Sequence, residues 1–215
     1  MTALTLEIMQ RRWVNGNQHI PGLIEGIVAA SAIKFPEYGL NTSLVVAHFM
    51  AQASEECDEG LEMWENMNYS AEGLLRTFPT HFTPARAARY AHNPRMIADI
   101  AYGGRMGNRP PPSDDGWVRR GRGLTNMTGV EGDEKCQKIL DAHNAGFSIL
   151  DNPELICDPE HALECGLADY LACGCLSFAE NDDIKGETHA LNGGYNGLAE
   201  RIRQLRLWKH DLGVT

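Results

Sequence analysis

Residues 44–54, Leu44 through Val45, Val46, Ala47, Phe49, Met50 and Ala51 to Ser54, are apolar on nearly every side of a helical wheel. A helix without a polar face has no surface to offer water, so it must run through the core. Thr42 and Ser43 stand just before it as N-caps. Just after it come Glu55, Glu56, Asp58, Glu59, Glu62 and Glu65. Charged residues are seldom buried without partners. Carboxylates delivered by a core helix are therefore either held by arginines or kept for chemistry. The chain must build a helical fold around 44–54 and leave the helix's acidic end at an opening.

The rest of the chain supports a helical reading. Leu4 to Trp13 predicts a first helix and Asn15-Gly16 a turn. A second helix runs from Pro21 to Lys34 and is closed by Pro36 and Gly39. Ser70 caps a short helix reaching Phe78, and Thr83-Pro84 and Asn93-Pro94 each place a cap before a proline at the first helical position. Gly103 to Gly116 is a Gly- and Pro-rich loop, long enough to wall a groove. A helix is expected from Gly129 to His143, a long apolar one from Asp158-Pro159 to about Phe178, and a last one from Leu198 to Trp208. Strand signals are confined to a small hairpin around Trp117 to Thr128.

The 215 residues fit a single catalytic domain, 1–215, with 1–40 as an N-terminal helical part. A formal net charge of -10 excludes nucleic acid as the main partner and a polybasic membrane-surface segment. No apolar run is long enough to span a bilayer. Met1 to Glu7 has no basic stretch followed by an apolar one, so the chain is expected to be made in the cytoplasm. Cys57, Cys136, Cys157, Cys165, Cys173 and Cys175 contain no C-x-x-C pair and are expected as buried thiols; Cys173 and Cys175 fall on different faces of one helix. No metal site and no cofactor is expected, and the calcium-loop pattern D-x-D-x-D-G is missing.

Spacing alone does not choose among Glu55, Glu56, Glu59, Glu62 and Glu65. A carboxylate at the C-terminal end of a buried helix feels the negative end of the helix dipole and loses water, and both push its pKa up. Together with the Gly- and Arg-rich turn Arg119 to Gly129, two such acids are the parts of a glycosidase: one protonates the leaving oxygen, one activates water.

Several runs, taken in order, resemble glycoside hydrolase family 19 in its bacterial and phage branch of chitinase-like endolysins. They are Ala51-Gln52-x-x-Glu55-Glu56, Glu65-Asn66-Met67-Asn68-Tyr69-Ser70-Ala71, and Arg105-Met106-Gly107-Asn108. After them come Asp115-Gly116-Trp117, Gly121-Arg122-Gly123-Leu124-Thr125-Asn126-Met127-Thr128-Gly129, Asn152-Pro153-Glu154-Leu155, and Leu191-Asn192-Gly193-Gly194-x-Asn196-Gly197-Leu198. The likeness spans roughly 45–205.

The resemblance implies a mainly α, lysozyme-like fold of the α+β kind: a two-lobed helical domain with a small β-hairpin and a central cleft. It implies an inverting mechanism with Glu56 as general acid, Glu65 as general base and Thr128 holding the attacking water. Asn192 and Asn126 would contact substrate, Tyr69 and Trp117 would line the sugar groove, and Arg122 and Arg201 would hold the carboxylates. The chain departs from the family where Glu55 replaces the usual His, where Asp58-Glu59 replace Gly-Gly, at Asn126 for Gln, and at Thr188-His189 for Thr-Arg. The expected function is a monomeric muramidase-type endolysin acting on peptidoglycan glycan strands after holin-type release. Its rivals are a chitinase, a lytic transglycosylase and a wall-binding protein that has lost catalysis.

Overall fold

The computed structural model describes residues 4–214. Its α-helices are α1 Leu6–Arg12, α2 Leu23–Glu37, α3 Ser43–Glu56, α4 Ala71–Thr77, α5 Pro84–Tyr90, α6 Pro94–Tyr102 and α7 Asp115–Val118. They continue as α8 Gly129–Ala142, α9 Ala162–Ala172, α10 Leu176–Glu180, α11 Ile184–Asn192 and α12 Leu198–Asp211. Two 3-10 turns, Asp58–Gly60 and Pro153–Cys157, complete the set among the described residues. None of these helices is long and apolar enough to cross a membrane.

The central helix behaves as its composition requires. Thr42 caps α3 by accepting from the Val45 amide at 3.3 Å, and every residue from Val45 to Ser54 is buried. Its main packing partner is α12. Ser54 is gripped from both sides, because the indoles of Trp13 and Trp208 each donate to its hydroxyl, at 2.9 and 3.0 Å. Each large apolar side chain brought fully inside stabilises the fold by roughly 1.5–3 kcal/mol.

Two separate apolar clusters define two lobes. The larger gathers Met9, Trp13, Ile27, Phe49, Leu140, Leu167 and Trp208 around α3. The smaller is built by α4, α5 and α6 from Met67, Leu74, Phe82, Ala87, Ile97, Ala98 and Ala101, with Phe78 and Tyr102 packed on it. The predicted caps of α4, α5 and α6 all form: Ser70, Thr83 and Asn93 accept from the amides of Gly73, Arg86 and Met96.

Several expectations are corrected. Pro36 does not stop α2, which carries it in its last turn, where only one helical hydrogen bond is lost, and runs on to Glu37. The long helix from Asp158 begins only at Ala162 and is broken into α9 and α10. Gly174 takes a left-handed φ of +73°, and the Cys175 amide reaches back to the Tyr170 carbonyl, a glycine-closed helix end. Cys173 and Cys175 therefore flank a helix break rather than share a helix. The helix α11 was not anticipated.

The hairpin over 117–128 is reduced to isolated bridges, Trp64 with Arg122 and Arg122 with Met127. Trp117 lies in α7 instead. The turn is too tightly wound for paired strands: Gly123 and Asn126 both have positive φ, +79° and +56°. Its backbone pairs with residues 63–65, through Gly123 N to Met63 O at 2.9 Å and Glu65 N to Gly121 O at 2.7 Å.

Candidate active site

Glu56 is the last residue of α3, and Glu65 lies nine positions on, in the extended strap leading toward the small lobe. Both line one open cleft, together with Glu62, Asn66, Asn68, Tyr69 and Asn126. The core helix thus delivers its acidic end to the gap between the lobes.

Glu56 is held from behind. Arg201 of α12, 2% exposed, donates through Nη2 to its carboxylate at 2.7 Å. The same guanidinium donates through Nη1 to Gln52 Oε1 at 2.5 Å and through Nε to the Asn196 carbonyl at 3.3 Å. Glu55 faces elsewhere. It packs against Gly197, where an added Cβ would overlap its carboxylate. Burial pushes the Glu55 carboxyl up, with Arg201 pulling the other way. The structure therefore separates the neighbours that spacing could not: Glu56 opens on the cleft, and Glu55 packs against the 193–197 loop.

Glu65 is held differently. The Tyr102 hydroxyl, at the end of α6, stands 2.8 Å from both carboxylate oxygens, and the Gly121 amide donates to one of them at 3.4 Å. Arg120 donates to the Glu65 carbonyl at 3.4 Å while its guanidinium stacks 3.7 Å over the Trp117 ring. Burial pushes the Glu65 carboxyl above the usual carboxylate range; the Tyr102 hydrogen bond, the Gly121 amide and the Arg120 charge oppose the rise without cancelling it. Gly121 lies directly against the Asn126 carboxamide, and a Cβ there would displace that side chain.

The Tyr102 hydroxyl donates to the ionised carboxylate and stabilises it, so removing it favours the protonated form. Tyr102→Phe is expected to move the Glu65 titration upward by about one pH unit, since a hydrogen bond to a charged group is worth about 1.5–3 kcal/mol. A ¹³C NMR titration of the Glu65 carboxyl checks it; an unmoved midpoint would show that burial alone sets this group.

Of the residues expected at the site, Glu56, Glu65, Tyr69 and Asn126 meet on the cleft wall. Tyr69 also belongs to the small lobe, edge-on to Phe78 with ring centroids 5.5 Å apart. Thr128 precedes α8, half-buried, and donates its hydroxyl to the Asn126 carbonyl at 3.0 Å. Thr125 is buried and hydrogen-bonded to Asp169, whose carboxyl burial raises to about 6. Asn192 is exposed at the C-terminal end of α11, just before the 193–197 loop. Trp117 packs half-buried on the small-lobe cluster beneath Arg120.

Arg122 does not hold either glutamate. It is 2% exposed and grips Asp133 of α8, with Nη2 at 2.8 Å from both carboxylate oxygens, and Arg119 bonds the same aspartate. Tyr102 and Arg120 were not read from the sequence as site residues. Tyr102 is 37 positions from the glutamate it bonds, and no local spacing signals a contact of that range. Among the described residues no cluster of three or more His, Cys, Asp or Glu side chains is arranged to hold a metal ion.

No family model matches the chain. A glycosyl hydrolase family 19 domain-containing protein from Haemophilus influenzae is 30% identical over 194 residues, covering 90% of this chain and 92% of that protein. Among solved structures, chitinase C from Streptomyces griseus HUT6037 superposes with a TM-score of 0.53 at 17% identity, over 98% of this chain and 93% of the other. A point mutant of chitinase C gives the same TM-score and identity over 99% and 93%. At that identity the structural likeness concerns the fold: two-lobed, lysozyme-like and mostly helical.

Proposed function

The chain belongs to glycosyl hydrolase family 19 and is a chitinase-like glycoside hydrolase; from that premise we propose that it is a peptidoglycan hydrolase of muramidase type. In this reading it cleaves the β-1,4 bond between N-acetylmuramic acid and N-acetylglucosamine with Glu56 as general acid and Glu65 as general base. The observation that carries the reading is that two carboxylates in unlike environments share one cleft. Glu56 is ion-paired to Arg201, and Glu65 is desolvated and hydrogen-bonded to Tyr102. A glycosidase needs such a pair: one group gives a proton to the leaving oxygen while the other takes one from water.

Specificity for the muramic-acid strand rests on the cleft wall. Three side-chain amides, Asn66, Asn68 and Asn126, face the same space as Tyr69. Amides present N–H donors and carbonyl acceptors, which suit the lactyl and peptide groups of a wall strand better than a plain stacking platform does. Mass spectrometry of purified peptidoglycan after digestion tests this. Muramic acid at the new reducing ends is expected. Cleavage of chitin oligomers with intact peptidoglycan would make the protein a chitinase, and 1,6-anhydro ends would make it a transglycosylase.

Inversion is part of the proposal. A water must fit between base and sugar, so the first product from a β-linked strand is the α-anomer. Early-time NMR of the digest reads it directly; a β-anomer first would exclude inversion.

Thr128 is proposed to hold that water. Among the described residues its hydroxyl caps nothing in α8 and bonds the nearby Asn126 carbonyl. Thr128→Ala is expected to lose activity about 10²-fold with little change in Tm, because misplacing a reactant costs rate rather than packing. Thr125→Ala should do the reverse, since its hydroxyl is committed to buried Asp169. A Thr128→Ala enzyme with full activity and a lower Tm would make Thr128 structural.

A further inference from the structure

Behind Glu56 runs a chain of hydrogen bonds in which each group fixes the direction of the next. The Thr188 hydroxyl of α11 donates to the Ile184 carbonyl at 2.7 Å, which leaves its oxygen as an acceptor. Gln52 Nε2 donates to that oxygen at 3.3 Å. A carboxamide can turn over, exchanging oxygen for nitrogen, but with Nε2 engaged only Oε1 is left to face α12. There it accepts from Arg201 Nη1 at 2.5 Å, and Nη2 of the same guanidinium meets Glu56. Gln52 and Thr188 are both 0% exposed, so water cannot replace either partner. Gln52 and Glu56 lie one helical turn apart on α3, the i, i+4 spacing that puts both on one face.

We propose that Gln52, oriented by Thr188, is a positioning residue that holds Arg201 against Glu56. The proposal rests on the reading of Glu56 as general acid. Neutrality of Gln52 is part of the role: it directs the guanidinium without competing for its charge. A flipped amide would set an N–H donor against a guanidinium donor and push Arg201 off the carboxylate.

The charged and titratable groups around Glu56 come from several elements. Glu55 and Asp58 share its own segment, Arg201 comes from α12, Asp169 from α9 with Cys173 at its end, and Glu62 and Glu65 line the same cleft. Arg201 is the cation bonded to Glu56 among the described residues, so the system is sensitive to how that charge is shared.

The test uses Gln52→Glu, Thr188→Val and Thr188→Ser in the full chain, assayed on purified peptidoglycan. In Gln52→Glu a second carboxylate competes for Arg201 and draws the guanidinium off Glu56. Its kcat is then expected to fall about 10–100-fold with KM within about twofold. Thr188→Val removes the acceptor that fixes the amide. Its kcat should fall about 10–100-fold with KM within about twofold, and Thr188→Ser should restore it. If Thr188→Val does not fold, the Gln52→Glu kinetics decide alone. Wild-type kcat in Gln52→Glu, or in a folded Thr188→Val, overturns the proposal. Failure of the acid reading itself is distinguishable, because Glu56→Gln would then stay active.

Discussion

Glu56→Gln and Glu65→Gln are each expected to lower kcat about 10²–10⁴-fold, the usual worth of a general acid or base, while leaving the Tm close to that of the parent. The two losses should differ in kind. A general acid matters less when the leaving group departs unaided, so Glu56→Gln should recover much of its rate on an activated aryl glycoside. Glu65→Gln should stay slow on both substrates and respond to a small added nucleophile that replaces the activated water. The comparison assigns the roles by reactivity, since Glu56 is ion-paired to Arg201 at 2.7 Å and burial raises the Glu65 carboxyl. Recovery by Glu65→Gln and not by Glu56→Gln would exchange the two roles. Full activity in either variant would remove that residue from the catalytic pair.

The second large effect is on stability. Asp133 is 0% exposed and neutralises both Arg122, 2% exposed, and Arg119. Asp133→Ala leaves a buried guanidinium without its counter-charge, which costs about 3–5 kcal/mol. The damage should also reach the cleft, because Arg122 sits in the turn whose Gly121 and Gly123 pin the strap carrying Glu65. Urea denaturation measures the loss. The control is Asp114→Ala, which breaks the exposed pair with Arg95; such pairs are worth about 0–1 kcal/mol. Equal losses in the two variants would show that the Arg122–Asp133 pair carries no special weight.

Much of the helical framework was legible because its signals are local. Thr42, Ser70, Thr83 and Asn93 cap helices by bonding amides three residues on, a distance that a sequence displays openly. The mostly apolar run of α3, with no charged residue before Glu55, could only be a core helix. Where reading failed, one residue's conformation outweighed the pattern. Gly174 in a left-handed φ divided a largely apolar stretch into α9 and α10, and Gly123 with Asn126 wound the expected hairpin into a turn.

The sequence by itself determined that a core helix ends in carboxylates, that a glycine- and arginine-rich turn follows, and that the ordered motifs resemble those of one hydrolase family. Helix type, caps and hydrophobic period depend on neighbours within about one turn, so they are written into adjacent residues. Only the tertiary structure decided which glutamate opens on the cleft, that Glu65 is paired with Tyr102 37 positions away, that Glu56 is paired with Arg201 145 positions away, and that Arg122 serves Asp133 instead. Those outcomes are matters of solvation and charge. A carboxyl's ionisation follows the water it loses and the groups that replace that water, and here those groups arrive from distant parts of the chain.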